Sequence, residues 1–124
     1  MNLERKLKDI QVALKQIDWY SIEEHIDYDM DGLLGTLFLN GKVELFNDTT
    51  IEFTESITPE RHRYRYQYMK KDGDLIFRYD NVPHHRQLST FPHHKHYPNR
   101  VVESKPVDFR HFIDEIIMEI ILFE

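Results

Sequence analysis

The sequence predicts an α+β fold: an antiparallel β-sheet of about four to six strands, with an N-terminal and a C-terminal helix packed on one face. Three features predict it. Apolar residues recur at helical spacing near both ends of the chain, the middle is rich in β-branched and aromatic residues, and residues 61–69 alternate strictly between two kinds of side chain. The 124 residues fit one domain, so we assign residues 1–124 to a single domain.

The two predicted helices differ in how widely their apolar residues spread. The first is predicted over residues 2–17, where apolar residues follow spacings of three and four. These residues are Leu3, Leu7, Ile10, Leu14 and Ile17. The last helix is predicted to begin after Pro106, with Asp108 near the positive end of the helix dipole. Its apolar residues cover a wide arc, so we expect burial, with Met118 and Phe123 available to a partner.

Residues 18–32 are acidic and aromatic. We predict a connection here, with a short helical turn near residues 21–25. Asp27, Asp29 and Asp31 alternate like the ligands of a calcium loop. The glycine and the final glutamate of that motif are missing, so we assign no calcium site.

Strand signals follow the acidic connection. Asn40 and Gly41 favour a tight type I′ turn, although one strand running through Gly41 also fits the pattern. A second turn is predicted over residues 47–50, and Pro59 marks a further break. The strands so delimited are residues 33–40, 43–46 and 51–57.

Composition excludes several classes of protein. The chain has no cysteine, which excludes disulfide scaffolds and thiolate sites. No apolar run approaches the roughly 20 residues of a membrane span, and no apolar leader begins the chain, so we expect a cytoplasmic protein. The formal charge is −6, yet residues 60–100 hold nine Lys/Arg against four Asp/Glu, together with six of the eight histidines. The local field of this segment, rather than the net charge, should govern binding.

Residues 61–81 predict a β-hairpin with two chemically different faces. Alternate side chains of a strand point to opposite sides of the sheet, which separates the tyrosines from the arginines. Asp72 and Gly73 predict a two-residue turn, and counting from this turn places Lys71 opposite Asp74. The same register pairs Tyr68 with Phe77, Tyr66 with Tyr79, Gln67 with Arg78, and Arg65 with Asp80.

The aromatic face of this hairpin is expected to form the core, because its rings bury large apolar areas and the helices need a face to cover. The other face carries Arg61, Arg63 and Arg65, with Asp80 expected to pair with Arg65. Arginine forks suit phosphate oxygens, so this face predicts phosphate binding. The alternative is a solvated face whose ion pairs contribute at most about 1 kcal/mol each.

A histidine-rich loop is predicted to follow the hairpin. A Pro-His-His element occurs twice, and its prolines stiffen the chain and disfavour a helix. Three uses fit these histidines. Two of them can transfer protons in phosphodiester cleavage, as general base and general acid. A divalent metal can be held by His93 and His96 with His84 or Asp80. Alternatively, the histidines only donate hydrogen bonds that close the loop on the sheet.

These residues resemble the signature of the TumE-like toxin family of prokaryotic type II toxin–antitoxin modules. The matching segments are residues 64–68 (YRYQY), the Asp72-Gly73 turn, residues 77–85 (FRYDNVPHH) and residues 91–96 (FPHHKH). The resemblance implies a growth-inhibiting toxin that is neutralised by a DNA-binding antitoxin encoded beside it. It implies no settled catalytic mechanism, so ribonuclease activity is inferred from the arginine and histidine chemistry alone.

We therefore expect a toxin that cleaves RNA. The candidate catalytic residues are His84, His85, His93, His94, His96 and Asp80. The candidate substrate-binding residues are Arg63, Arg65, Arg78, Arg86 and Lys95. The cofactor is left open between none and a divalent metal held by His93, His96 and His84. The expected partners are the antitoxin and RNA, with no membrane, and a homodimer is compatible with the sequence. The alternative is a non-catalytic module whose basic, histidine-rich surface binds an acidic protein or a nucleic acid.

Overall fold

The computed structural model describes residues 1–123 and confirms the α+β fold. Within those residues, helices α1 (Leu3–Lys15) and α2 (Phe109–Phe123) accompany one antiparallel sheet of seven strands, which lie side by side in the order of the sequence. The strands are β1 (Ser21–Asp31), β2 (Thr36–Leu45), β3 (Thr49–Ile57), β4 (His62–Lys70), β5 (Leu75–Asp80), β6 (His94–Tyr97) and β7 (Arg100–Glu103). The sheet exceeds the four to six strands expected, because β1, β6 and β7 form where no strand was predicted.

Both helices begin with side-chain caps. In α1, the Asn2 side chain accepts a hydrogen bond from the Arg5 backbone N–H at 3.0 Å. In α2, Asp108 accepts one from the His111 backbone N–H at 2.8 Å, which confirms its predicted place at the helix start. The core-facing apolar residues of each helix are buried, whereas Val12 of α1 is exposed, and near the end of α2 Met118 is half-exposed and Phe123 is exposed.

The predicted connection over residues 18–32 is wrong, because most of it is strand β1. A helical turn does form, but earlier, as a 3-10 turn at Asp18–Tyr20. β1 pairs with β2 along almost its whole length. Asp and Glu have low β-propensity, yet pairing with a long neighbour outweighs that preference. A period of two was readable in the sequence, since Ile22, Ile26, Tyr28 and Met30 all lie at even positions.

The turn predicted at Asn40 and Gly41 is also wrong, since β2 runs through both residues. Gly41 serves packing instead. A Cβ at this position would lie 2.3 Å from the Phe53 ring, which occupies the space above the glycine. Phe53 in turn packs on Phe109 of α2, with 4.5 Å between the ring centroids. The turn between β2 and β3 follows Leu45, close to the second predicted turn.

The core lies between the sheet and the two helices. Tyr64, Tyr66 and Tyr68 of β4 are all buried on this side, which confirms the assignment of the aromatic face to the core. The Phe112 ring of α2 lies 5.6 Å from the Tyr66 ring and 5.8 Å from the Phe77 ring. Buried residues of α1 belong to the same cluster, so both helices cover one face of the sheet, as expected.

The predicted register of the β4–β5 hairpin is confirmed for its four pairs between Tyr68–Phe77 and Arg65–Asp80. It is wrong only next to the turn. The pairing shifts by one residue after Tyr68, and the Lys70 N–H donates to the Asp74 carbonyl at 2.8 Å. Lys71 therefore lies in the loop rather than opposite Asp74. Gly73 has a φ of +100°, a conformation that favours glycine.

The histidine-rich segment is a loop only up to His93. His94 begins β6, which pairs with β5 on one side and with β7 on the other. The prediction of a loop through His96 is therefore wrong, because inter-strand pairing extends the sheet beyond the second Pro-His-His element.

No helix within residues 1–123 is long and apolar enough to cross a membrane.

Candidate active site on the open face of the sheet

The open face, defined as the side of the sheet that the helices leave uncovered, gathers polar residues into rows. Neighbouring strands place Thr54, Arg65, Asp80 and His94 side by side in one row. The adjacent row contains Glu52, Gln67, Arg78 and His96. Because Tyr66 and Tyr79 point to the core, these alternate residues must point the other way. Arginines of β4 and β5 thus lie beside histidines of β6.

Three imidazoles meet at one end of this face and form the histidine cluster, which comprises His85, His94 and His96. The ring centroids of His94 and His96 are 4.6 Å apart. The His85 ring reaches over from the loop, 4.8 Å from His94 and 5.3 Å from His96. One ring nitrogen from each residue lies within 4.8 Å of the other two.

Asp80 lies beneath the histidine cluster and is buried. One carboxylate oxygen, Oδ1, lies 2.9 Å from His94 Nε2 and accepts a hydrogen bond from the Val82 N–H at 3.0 Å. The other, Oδ2, lies 3.5 Å from His96 Nε2 and accepts a hydrogen bond from Arg78 Nε at 3.1 Å. A buried carboxylate that accepts a hydrogen bond on each oxygen is held in one orientation.

The expected ion pair between Asp80 and Arg65 is not present among the described residues. The two residues are register partners, but the carboxylate pairs with Arg78, whose second nitrogen donates to the Gln67 side chain at 3.1 Å. Arg78 is a neighbour on the same strand and reaches Asp80 along the sheet. Arg65 therefore remains exposed on the open face.

The protonation of His96 is set by burial and by the nearby Arg78. Burial, followed by the positive charge of Arg78, lowers the pKa of His96 to about 4, although Asp80 acts in the opposite direction. His96 is therefore neutral near neutral pH. His94 is only 2% exposed, and both of its ring nitrogens face oxygen atoms: Asp80 Oδ1 at 2.9 Å and the Pro92 carbonyl at 2.9 Å.

A groove of about 620 Å³ runs along the open face next to the arginines. Arg63 and Arg65 line one side, and Asp27 and Asp29 of β1 line the other. A second hollow of about 340 Å³ adjoins it, and Arg65 borders both. The face therefore changes from acidic at β1 through cationic at β4 to histidine-rich at β6.

The structure brings together only part of the predicted residue set. His84 and Arg86 are exposed in the loop, where the Arg86 guanidinium lies 5.4 Å from the centre of the Phe91 ring. His93 instead contacts the helix-covered side, where its Nδ1 lies 2.8 Å from the hydroxyl of Tyr64. Burial, then the nearby His62 and His94, lowers the pKa of His93. The predicted metal set of His93, His96 and His84 is therefore not the set that converges.

Lys95 also lies on the helix-covered side, although it was predicted to bind substrate. Its ammonium contacts Glu115 of α2 at 2.8 Å. It also lies 4.6 to 4.9 Å from the ring centres of Phe77, Tyr79 and Tyr97. Period-two alternation across His94, Lys95 and His96 was the sequence signal that could have separated Lys95 from the two histidines.

Comparisons with known proteins add one finding. A family model described as Toxin TumE matches residues 11–122, which is nearly the whole chain. Neither the curated proteins nor the solved structures contain a significant match. The matched range includes all seven strands and every residue of the histidine cluster.

Proposed function

The chain belongs to the family of the toxin TumE, and from this we propose that it is the toxin of a toxin–antitoxin module and acts by cleaving phosphodiester bonds of RNA. One observation carries the chemical part of the proposal. Arg78, Asp80 and the histidine cluster converge on the open face, next to the exposed Arg65. Phosphate binding and proton transfer are the two requirements of such a cleavage, and both residue types are in place.

Phosphate binding is assigned to Arg65 and Arg78, with Arg63 at the far side. Arg78 is held by Asp80 and Gln67, so its guanidinium is oriented before any ligand arrives. Arg65 is exposed where the two hollows meet, and Arg63 continues the cationic side of the groove. A guanidinium in a fixed position stabilises the charge that develops on a phosphate in the transition state.

Proton transfer is assigned to His96 and His85. His96 is neutral, so it can accept the proton of the attacking ribose 2′-hydroxyl. His85 is partly exposed at the mouth of the cluster and can return a proton to the departing 5′-oxygen. His94 is too deeply buried to touch RNA, so His94 and Asp80 act as positioning residues that orient the two outer rings.

The test measures cleavage of a labelled single-stranded RNA of mixed sequence by the full chain. Replacing His85 or His96 with Ala should lower the rate by about 100- to 10,000-fold, the usual contribution of acid–base catalysis. His111→Ala serves as the control, because His111 is exposed on α2. Unchanged cleavage in both cluster variants would contradict the assignment. Stoichiometric, salt-sensitive RNA binding without any turnover would support the non-catalytic binding module instead.

The toxin role is tested separately, by growth. We expect expression of the chain alone to arrest growth, and co-expression of a cognate antitoxin encoded next to it to restore growth. The His85→Ala and His96→Ala variants should lose the growth arrest while remaining folded, as judged by circular dichroism. Growth arrest that persists in both variants would separate the toxin role from the cleavage chemistry proposed for this cluster.

A further inference from the structure

The ring of His94 faces more hydrogen-bond acceptors than a neutral imidazole can satisfy. A neutral imidazole has one N–H, yet both ring nitrogens of His94 lie 2.9 Å from oxygen acceptors. If Nδ1 donates to the Pro92 carbonyl, then the lone pair of Nε2 points at Asp80 Oδ1. Two acceptors facing each other at this distance repel, so either a proton lies between them or a metal ion binds both atoms from one side.

We infer that the histidine cluster is a binding site for one divalent ion of the late first transition row, such as Zn²⁺ or Co²⁺. His85, His94 and His96 each supply one ring nitrogen, and these nitrogens lie within 4.8 Å of one another. Two donors on one tetrahedral ion are about 3.3 Å apart when each bond is about 2.05 Å long. The nitrogens must therefore approach one another by up to about 1.5 Å, through rotation of the rings, to bind one ion.

The surroundings of the cluster resemble those of known metal ligands. A histidine that binds a metal usually donates its other N–H to a carbonyl or a carboxylate, which fixes the tautomer and the ring orientation. His94 fits this arrangement, with Nδ1 2.9 Å from the Pro92 carbonyl oxygen and Nε2 2.9 Å from Asp80 Oδ1. Asp80 lies 2.9 Å and 3.5 Å from the Nε2 atoms of His94 and His96, close enough to become a fourth ligand.

The donor set selects the class of ion. Three imidazoles suit Zn²⁺, Co²⁺, Ni²⁺ and Cu²⁺, whereas Mg²⁺ and Ca²⁺ prefer oxygen ligands. Arg78 donates to Asp80 and reduces the negative charge that this carboxylate offers to a cation. The imidazoles must therefore supply most of the affinity.

The repeated Pro-His-His element provides matched controls. In each copy the second histidine, His85 or His94, belongs to the cluster. The first histidine of each copy, His84 or His93, does not: His84 is exposed, and His93 is bonded to Tyr64. His84 and His85 have the same chemistry and are adjacent in sequence, so a difference between their variants reports their different placement.

The experiment uses the full chain without a polyhistidine tag and titrates it with ZnCl₂ by calorimetry and with CoCl₂ by visible absorption. We expect one ion per chain and the strong visible bands of four-coordinate Co²⁺. His85→Ala and His96→Ala should weaken metal binding by more than about 10-fold. Loss of a residue that only hydrogen-bonds to a metal ligand already weakens metal binding by about 10- to 100-fold. His84→Ala and His93→Ala should bind like the parent chain. His94 is not replaced, because removing this buried side chain would also disturb the fold.

The proposal is overturned if the parent chain shows no saturable binding, or if His84→Ala or His93→Ala weakens binding as much as the cluster variants. Folding is monitored by thermal unfolding, where Zn²⁺ should raise the melting temperature of the parent chain but not of His85→Ala. A rise of equal size in both proteins would place the ion elsewhere and overturn the site.

One consequence of the metal site rests on the proposed function. The experiment distinguishes a failure of the metal site from a failure of the proposed function. A bound ion occupies the ring lone pairs that proton transfer needs, so Zn²⁺ should inhibit RNA cleavage and a chelator should restore it. If RNA cleavage requires the ion, the metal site is supported and the assignment of proton transfer to His85 and His96 is overturned. Cleavage that persists in chelator, with no Zn²⁺ binding by calorimetry, would overturn the metal site alone.

Discussion

Asp80 Oδ1 and His94 Nε2 lie 2.9 Å apart on adjacent strands, and both side chains are almost completely buried. The contact joins the last residue of β5 to the first residue of β6. It therefore joins β5 and β6 at the end where the loop between them returns, next to the imidazoles of the histidine cluster.

Replacing Asp80 with Asn should destabilise the chain and disturb the site. The change removes a buried charge that pairs with Arg78 and contacts His94, so the free energy of unfolding should fall by about 3 kcal/mol. Urea unfolding at neutral pH measures this loss. The control is Asp27→Asn, at an exposed carboxylate on the same face, which should change stability by less than about 0.5 kcal/mol. Equal losses of stability in the two variants would show that the contacts of Asp80 with Arg78 and His94 add no stability beyond that of an exposed carboxylate.

Arg65→Gln should weaken RNA binding without affecting the fold, because the side chain is exposed and its proposed role is electrostatic. Losing one phosphate contact should reduce the slope of log affinity against log salt by about 0.7 for a single-stranded ligand. Fluorescence anisotropy with a labelled single strand, over a range of salt, measures the slope. Arg110→Gln on α2 is the control, since Arg110 is also exposed but belongs to a helix on the covered side. A slope lowered equally by Arg110→Gln would argue against a defined phosphate site.

A buried glutamate should make stability fall in acid. Glu55 is 2% exposed and contacts Lys6 Nζ at 2.8 Å, His62 Nε2 at 2.5 Å and the Tyr66 hydroxyl at 2.5 Å. Burial alone would raise its pKa, but the hydrogen bond with His62 and the charge of Lys6 outweigh burial and lower the pKa below 4.5. The stabilisation is therefore complete above about pH 4.5 and is lost as the pH falls through the folded pKa.

Comparing the parent chain with Glu55→Gln isolates this contribution from those of other carboxylates. At neutral pH the variant should be less stable by about 1–3 kcal/mol. The difference should stay level from about pH 7 down to about pH 4.5 and shrink below that pH, when measured by urea unfolding. Glu52→Gln, on the same strand but facing the open side, is the control. A difference that stays constant with pH would contradict the lowered pKa of Glu55.

Gly41→Ala should destabilise the chain by about 1–3 kcal/mol, because the added methyl group overlaps the Phe53 ring. Gly32→Ala is the matched control, since no atom lies within 4 Å of the position of its Cβ. Adding Phe53→Leu to Gly41→Ala should cost less than the sum of the two single changes, because the smaller side chain leaves room for the methyl group. Thermal unfolding of all four variants measures these losses of stability. If the loss in the double variant equals the sum of the two single losses, the proposed overlap between the methyl group and the Phe53 ring is wrong.

Features that depend on local backbone geometry could be predicted from the sequence. Strict alternation over residues 61–69 placed the tyrosines in the core, and counting from Gly73 gave correct partners for Arg65 and Gln67. The prediction failed only beside the turn, where the pairing shifts by one residue after Tyr68. Such a shift depends on how the loop closes, and alternation carries no information about it.

Other features depended on partners distant in the sequence. β1 is acidic and has weak β-propensity, but β2 supplies a complete row of hydrogen-bond partners. Gly41 looked like a turn residue because its contact with Phe53 exists only once β2 and β3 are paired. In both places, strand pairing and side-chain packing outweigh the local conformational preferences of the residues.

The sequence by itself determined the fold class, the two faces of the central hairpin and the kinds of side chain that the open face presents, because strand alternation and helical spacing are properties of neighbouring residues. Only the tertiary structure decided which imidazoles meet. His93 and His94 are adjacent in sequence yet contact opposite sides of the sheet, since β6 begins between them and its pairing with β5 directs His94 to Asp80. His85 joins them because the loop folds back over the strand, and no local pattern records that path.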